Sequence, residues 1–142
     1  MSKCTLCKTE SPEKPTEPYA LAAAKVAEPL AIAETSFGEF EICEACYRLG
    51  LPVYFTQSDL AEIHYQFGLE YLQRDQSSES VNALSRALQI TESADILTAL
   101  GHAESKRGDK ETAIAHYHRA LEIDPSNLAA KENLKNVMTE AA

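Results

Sequence analysis

The architecture of this chain is written in residues 94–127, ADILTALGHAESKRGDKETAIAHYHRALEIDPSN, where two helical patterns flank a break. Ser93 precedes Ile96, Leu97, Leu100 and Ala103, which recur at the spacing of one helix face, and Gly108 ends the run. Asp109 then caps a second helix bearing Ala113, Ile114, Tyr117, Ala120, Leu121 and Ile123, and Asp124-Pro125 terminates it. Shifting the sequence by 33 residues superposes Gly68 on Gly101, Ala83 on His116, Ala87 on Ala120, Leu88 on Leu121 and Ile90 on Ile123. Such a period predicts stacked helical hairpins, each too small to bury its apolar face alone. The earlier hairpin reads as a helix capped by Ser58 with Leu60, Ile63, Phe67, Tyr71 and Leu72. Its second helix, capped by Ser77 or Ser78, carries Val81, Leu84, Ala87, Leu88 and Ile90. A fifth helix, Leu128 to Met138, is expected to turn Leu134, Val137 and Met138 inward and Lys131, Glu132 and Lys135 outward.

These residues resemble the tetratricopeptide (TPR) family. The second unit matches at Leu100-Gly101, Gly108-Asp109, Ala113-Ile114, Tyr117, Ala120-Leu121 and Asp124-Pro125-Ser126-Asn127. The first matches at Phe67-Gly68, Tyr71, Leu84 and Ala87-Leu88. Gly and Ala lack bulk where paired helices touch, and large residues fill the adjacent gaps. Departures are His64 and Leu97 at the family's usual Trp position, Ser80 for a small Ala, Glu92 for the terminal Pro, and Glu104 for a large apolar residue. Glu104 either reaches solvent at the end of the array or loosens the packing there. The resemblance implies a concave face, built from the first helix of each pair, that accepts a protein or peptide. By position that face presents Glu62, Tyr65, Leu69, Leu72 and Gln73, then Asp95, Thr98, His102, Ser105 and Lys106, with Ala129 and Glu132 from the cap. Tyr65, Leu69, Leu72, Gln73, His102 and Lys106 are the expected partner contacts. The family's clamp for C-terminal carboxylates is missing, its places being held by Tyr65, Leu69 and Ala99.

The N-terminal part reads differently. Cys4-Thr5-Leu6-Cys7 and Cys43-Glu44-Ala45-Cys46 form two C-x-x-C pairs with 35 residues between them. Four thiolates complete a tetrahedral shell around one structural Zn²⁺, and two intervening residues let a tight turn aim both sulfurs at one ion. Cys4, Cys7, Cys43 and Cys46 are therefore the expected metal ligands, with Fe²⁺ as the other ion that suits four sulfurs. Unligated cysteines, disulfides and a redox C-x-x-C are the competing readings. No His lies in this segment to support a catalytic ion. Between the pairs, Ser11 to Pro18 places Pro at every third position and reads as an extended spacer. Tyr19 to Glu28 is an Ala-rich helix candidate. Leu30 to Glu34 and Glu39 to Ile42 predict a hairpin around Thr35-Ser36-Phe37-Gly38, with Phe40 and Ile42 on one face. Tyr47-Arg48-Leu49 fits a short helix stopped by Gly50. A knuckle, a hairpin and a second knuckle opening a helix resemble a treble-clef or ribbon-like zinc finger.

Composition bounds the function. The 142 residues hold 44% apolar and 25% charged side chains, with 22 acidic against 13 basic groups and a net charge of −9. That excess repels phosphate backbones and disfavours nucleic acid as a partner. No apolar stretch is long enough to span a bilayer, and the first residues lack the apolar core of a secretory signal. A cytoplasmic setting is expected. Neither a G-x-S-x-G, a Walker-type loop nor an H-E-x-x-H occurs, so no enzyme is expected. The histidines read as structural: His64 packs in the core, His102 borders the concave face, and His116 and His118 point to different sides.

The expected fold is mainly α: two TPR hairpins with a C-terminal capping helix, preceded by a small zinc-binding α+β module. Residues 1–57 form that module and residues 58–142 the array, divided into 61–93, 94–127 and a cap over 128–139. Two hairpins fall short of the three that such an array usually needs, so the module is expected to cover one end. The bridge from Leu51 to Gln57, with Val53, Tyr54 and Phe55, suits burial between the modules. Self-association is the other way to cover an apolar end. The function so implied is a non-enzymatic protein–protein interaction adaptor. A regulator whose zinc site is oxidised and emptied is the second reading, and a nucleic-acid-binding finger the third.

Overall fold

A computed structural model of the chain describes residues 30–140. Cys4, Cys7, the Pro-rich spacer and the Ala-rich helix candidate lie outside the described residues. Within them run β1 (Ala31–Thr35), β2 (Gly38–Ile42), α1 (Glu44–Leu49), α2 (Gln57–Gln73), α3 (Ser77–Ile90), α4 (Ala94–Arg107), α5 (Lys110–Ile123) and α6 (Leu128–Glu140). The described part is mainly helical, with one antiparallel two-stranded sheet. The chain divides into two compact units, Met1–Gln66 and Phe67–Ala142, and the division falls inside α2.

In the first unit the hairpin forms as its alternation predicts. Ala31 pairs with Ile42 and Ala33 with Phe40, and all four side chains are buried on one face. The two-residue turn Ser36-Phe37 closes because Gly38 takes φ +100°, where a side chain would be strained. Phe55 stacks edge-on against Phe40, with ring centroids 5.1 Å apart, and Tyr54 packs on Phe37 at 5.4 Å. Of the three bridge residues expected to be buried, Phe55 alone is: Tyr54 is half exposed and Val53 wholly so. The bridge turns so tightly, with the Phe55 amide bonded to the Pro52 carbonyl, that one side chain of three reaches the interior.

The start of α2 corrects the expected cap. Thr56, not Ser58, stands at the N-terminus: its Oγ1 accepts from the Asp59 amide while Asp59 Oδ2 accepts from the Thr56 amide. This reciprocal box leaves Ser58 inside the first turn. Asp59 also holds the hairpin turn, accepting from the Ser36 amide at 2.8 Å and from its hydroxyl at 2.6 Å.

In the second unit the repeat is visible as geometry. Helix α4 ends in a Schellman turn, in which the Asp109 amide donates to Glu104 O and the Gly108 amide to Ser105 O, with Gly108 at φ +94°. Thirty-three residues earlier the same turn ends α2: the Gln76 amide donates to Tyr71 O, the Asp75 amide to Leu72 O, and Asp75 sits at φ +58°. Asp109 serves at once as the end of that turn and as the side-chain cap of α5, accepting from the Thr112 amide. Gln76 occupies the matching place, so neither Ser77 nor Ser78 caps α3; both fall within the helix. Ser93 caps α4 as expected, accepting from the Ile96 amide.

Close approach is shared too. A Cβ on Gly68 would collide with the Leu84 side chain, and one on Gly101 would lie 2.7 Å from Tyr117 Cε1. Ala94, Leu97, Ala120 and Ala130 form one cluster, with Leu88 and Leu121 packed against it. Ala113, Tyr117 and Val137 form another, flanked by Ile114 and Leu134. On α6 the buried stripe is thus Ala130 and Val137; Met138, expected inward, is 55% exposed, and Ile123 at the end of α5 also faces out. The stripe is narrower than the apolar pattern because α6 has neighbours on one side, α5 and, less extensively, α4.

Candidate functional site

Cys43 and Cys46 are the half of the expected metal set within the described residues. Cys43 follows β2 and stands at the N-terminus of α1, and Cys46 lies in the first turn of that helix; both are buried. Two thiols three residues apart at a strand–helix junction are of the donor type that structural zinc sites use. Cys4 and Cys7 lie outside the described residues, and among those described no group of three or more ligating side chains converges.

Beside the cysteines, Tyr47 projects from α1 towards α2. Its hydroxyl and His64 Nδ1 share a hydrogen bond of 2.7 Å, with the rings edge-on at 5.4 Å. His64 is therefore a half-buried, hydrogen-bonded side chain rather than a core one. Asp59, held by Ser36 and Thr56 donors, has its carboxyl pulled below the usual 3.8, chiefly by the Ser36 hydroxyl. The T-x-x-D pattern of Thr56 to Asp59 is a readable capping signal, but no local pattern announces Ser36 as its third member.

The expected partner residues are placed unevenly. Leu69, Leu72 and Tyr65 are half-buried along α2, and Gln73 is exposed. Tyr65 belongs to the first compact unit; the other five lie in the second. On α4, His102 is half-buried one turn before the exposed Lys106. Lys106 Nζ reaches Asp75 Oδ1 at 3.0 Å, which ties the last turn of α4 to the turn after α2. Burial, and then the Lys106 charge, hold the His102 imidazole below its ordinary 6.5, so it is neutral at physiological pH. Thr98 drops out of the expected face: it is 7% exposed and its hydroxyl donates to the Ala94 carbonyl. Asp95, Ala129 and Glu132 are exposed, and Glu62 and Ser105 half-buried.

Glu104, the oddest departure in the repeat, neither reaches solvent nor loosens the helices. It is 6% exposed, and His116 Nδ1 on α5 lies 2.7 Å from its Oε2, a hydrogen bond in which an ionised carboxylate accepts and the ring N–H donates. His118, two residues on, faces out. Next to this pair the Tyr117 hydroxyl is buried with no hydrogen-bond partner among the described residues. Burial and the nearby Glu104 charge both push its pKa up, so it stays protonated. Ser80, by contrast, replaces Ala at no cost in unpaired groups, since its hydroxyl donates to the Gly68 carbonyl at 2.7 Å. Glu92, where the family has Pro, pairs with Arg119.

Among the described residues no helix is long and apolar enough to cross a membrane. A comparison with curated proteins finds no significant match. Residues 94–127, the α4–α5 pair that closes on Gly101 and Tyr117, match the tetratricopeptide repeat family, a finding that supports a tetratricopeptide-repeat protein.

Proposed function

We propose that the protein is a non-enzymatic adaptor that binds another protein through the exposed side of α2 and α4, with an N-terminal fold held by one structural zinc ion. The observation that carries the binding role is the repeat match over residues 94–127, because tetratricopeptide repeats generally serve as protein-binding scaffolds. Leu69, Leu72 and Gln73 on α2 supply apolar and amide contacts, and His102 and Lys106 on α4 supply polar ones; Tyr65, in the first compact unit, is a contact considered by itself. A neutral His102 offers one donor and one acceptor there without carrying charge. Cys4, Cys7, Cys43 and Cys46 are the ligands of the ion. Burial of Cys43 and Cys46 favours a closed structural site over an oxidisable one, since reactive thiolates sit exposed.

The test is affinity capture from native cell extract with wild type and Leu69→Glu. Loss of specific partners from the variant supports the assignment, and an unchanged partner set overturns it. Elemental analysis of reduced protein checks the ion: one zinc per chain is expected, falling in Cys43→Ser, and a metal-free, equally stable wild type removes it from the reading.

A further inference from the structure

At the C-terminal end of the second unit, α5 and α6 leave an open groove of about 460 Å³ lined by Leu121, Lys131, Leu134, Lys135, Met138 and Thr139. Its lining is sorted along α6. Leu134 and Met138 form one row at a spacing of four residues, and Lys131, Lys135 and Thr139 form the adjacent row. Thr139 spends its hydroxyl proton on the Lys135 carbonyl, so the side-chain donors left to a ligand are the two ammonium ions. Both lysines are exposed, and neither has an ion-pair partner among the described residues, although acidic groups outnumber basic ones 22 to 13 in the chain. Met138 is 55% exposed in this groove, more than a large apolar side chain on a cap gains from.

From this arrangement we infer that the α5–α6 groove is a second docking surface, and that its occupant is an acidic amphipathic helix of another protein. An apolar floor calls for apolar residues at i, i+3, i+4 and i+7, and the length from Lys131 to Thr139 spans about two helical turns. Two unpaired lysines along one rim call for Glu or Asp on the flank of that helix. Charge also rules against a second copy of α6 as the occupant. Two-fold pairing of α6 about the middle of the groove brings the two Lys135 side chains together, and like charges across an interface oppose association. The surface is separate from the α2–α4 side, and neither assignment requires the other.

The probe is a synthetic helix-forming peptide with Leu at i, i+3, i+4 and i+7 and Glu at the remaining positions, compared with a version carrying Lys for Glu. Binding to the full chain is followed by fluorescence anisotropy and mapped by amide shifts in NMR spectra. The Glu peptide is expected to bind, to weaken with added salt, and to shift amides of α5 and α6. Lys131→Glu together with Lys135→Glu is expected to weaken it roughly tenfold and to transfer the preference to the Lys peptide. Met138→Asp, a substitution at an exposed position, abolishes binding without unfolding the chain, and Leu69→Glu leaves it unchanged. Equal binding of the two peptides, shifts confined to other helices, or a dimer joined through α6 in sedimentation equilibrium would each overturn the proposal.

Discussion

Gly101 on α4 lies directly against the ring of Tyr117 on α5, so near that a Cβ would stand 2.7 Å from Cε1 and 2.9 Å from Cδ1. Both residues are buried, and the ring packs in a cluster with Ala113 and Val137. Gly101→Ala therefore lowers stability by about 1–3 kcal/mol, even though Ala in a helix is favoured over Gly by about 1 kcal/mol. Urea unfolding followed by circular dichroism measures it as a lower midpoint at unchanged slope. A rise in midpoint contradicts the close approach.

The buried Glu104–His116 pair predicts an asymmetry between its partners. His116→Ala leaves a carboxylate at 6% exposure without its donor and costs about 3 kcal/mol. Glu104→Met removes the buried charge and restores an apolar residue of similar reach, changing stability by about 1 kcal/mol or less. Thermal unfolding of both variants at one pH decides the matter: equal losses mean that the pair is not the reason Glu104 is tolerated.

Asp59 sets an acid limit on the first unit. Its folded pKa lies below the ordinary 3.8, so the unfolded chain binds a proton more readily than the folded one. The resulting stabilisation is complete above about pH 4 and is lost as pH falls through the lowered folded value. Asp59→Asn lowers the melting temperature at neutral pH and flattens its decline in acid. A variant whose acid limb parallels wild type would show that the Ser36 and Thr56 contacts do not hold the charge.

Asp75 occupies the left-handed position that Gly108 fills one repeat later. Asp75→Gly is expected to stay within about 0.5 kcal/mol of wild type, because relief at φ +58° offsets the weak exposed pair with Lys106. Asp75→Val, branched at Cβ, costs about 1–2 kcal/mol at the same position. Chemical unfolding of the two variants separates the backbone requirement from the ion pair, since both remove the carboxylate.

The Tyr117 hydroxyl, buried without a hydrogen-bond partner among the described residues, carries a desolvation cost that Phe avoids. Tyr117→Phe should leave stability unchanged or raise it by about 1 kcal/mol. A clear loss in calorimetry would show that the hydroxyl makes a bond of its own.

Features set by neighbours in the chain were legible. The spacing of Ile96, Leu97, Leu100 and Ala103 marked a helix face, Ser93 and Gly108 marked its boundaries, and all four apolar residues are buried where the spacing put them. The alternation of Phe40 and Ile42 with Glu39 and Glu41 placed the hairpin to within a residue at either strand. Errors gathered where one residue served two structures. Gln76 and Asp109 each end one helix and begin the next, and Gln76 carries no side chain that competes for the cap, so Ser77 and Ser78 drew the prediction. The inward assignment of Met138 failed because periodicity says which residues share a face, not how wide a neighbour covers it. For the candidate site, the short helix α1 was readable from Tyr47-Arg48-Leu49 and its stop at Gly50, whereas the exclusion of Thr98 was not: it depends on what packs around α4.

By itself the sequence determined the helical hairpins, their register of one repeat on the next, and the glycines where helices touch. All of these follow from short-range periodicity and from the backbone's need for small residues at contacts. Only the tertiary structure decided the surroundings of polar groups: Glu104 with His116, Asp59 with Ser36, Lys106 with Asp75, and Lys131 and Lys135 along the α6 groove. A buried charge is stable or costly according to which donor a distant segment brings within about 3 Å, and that distance is a property of the assembled helices rather than of any stretch of chain.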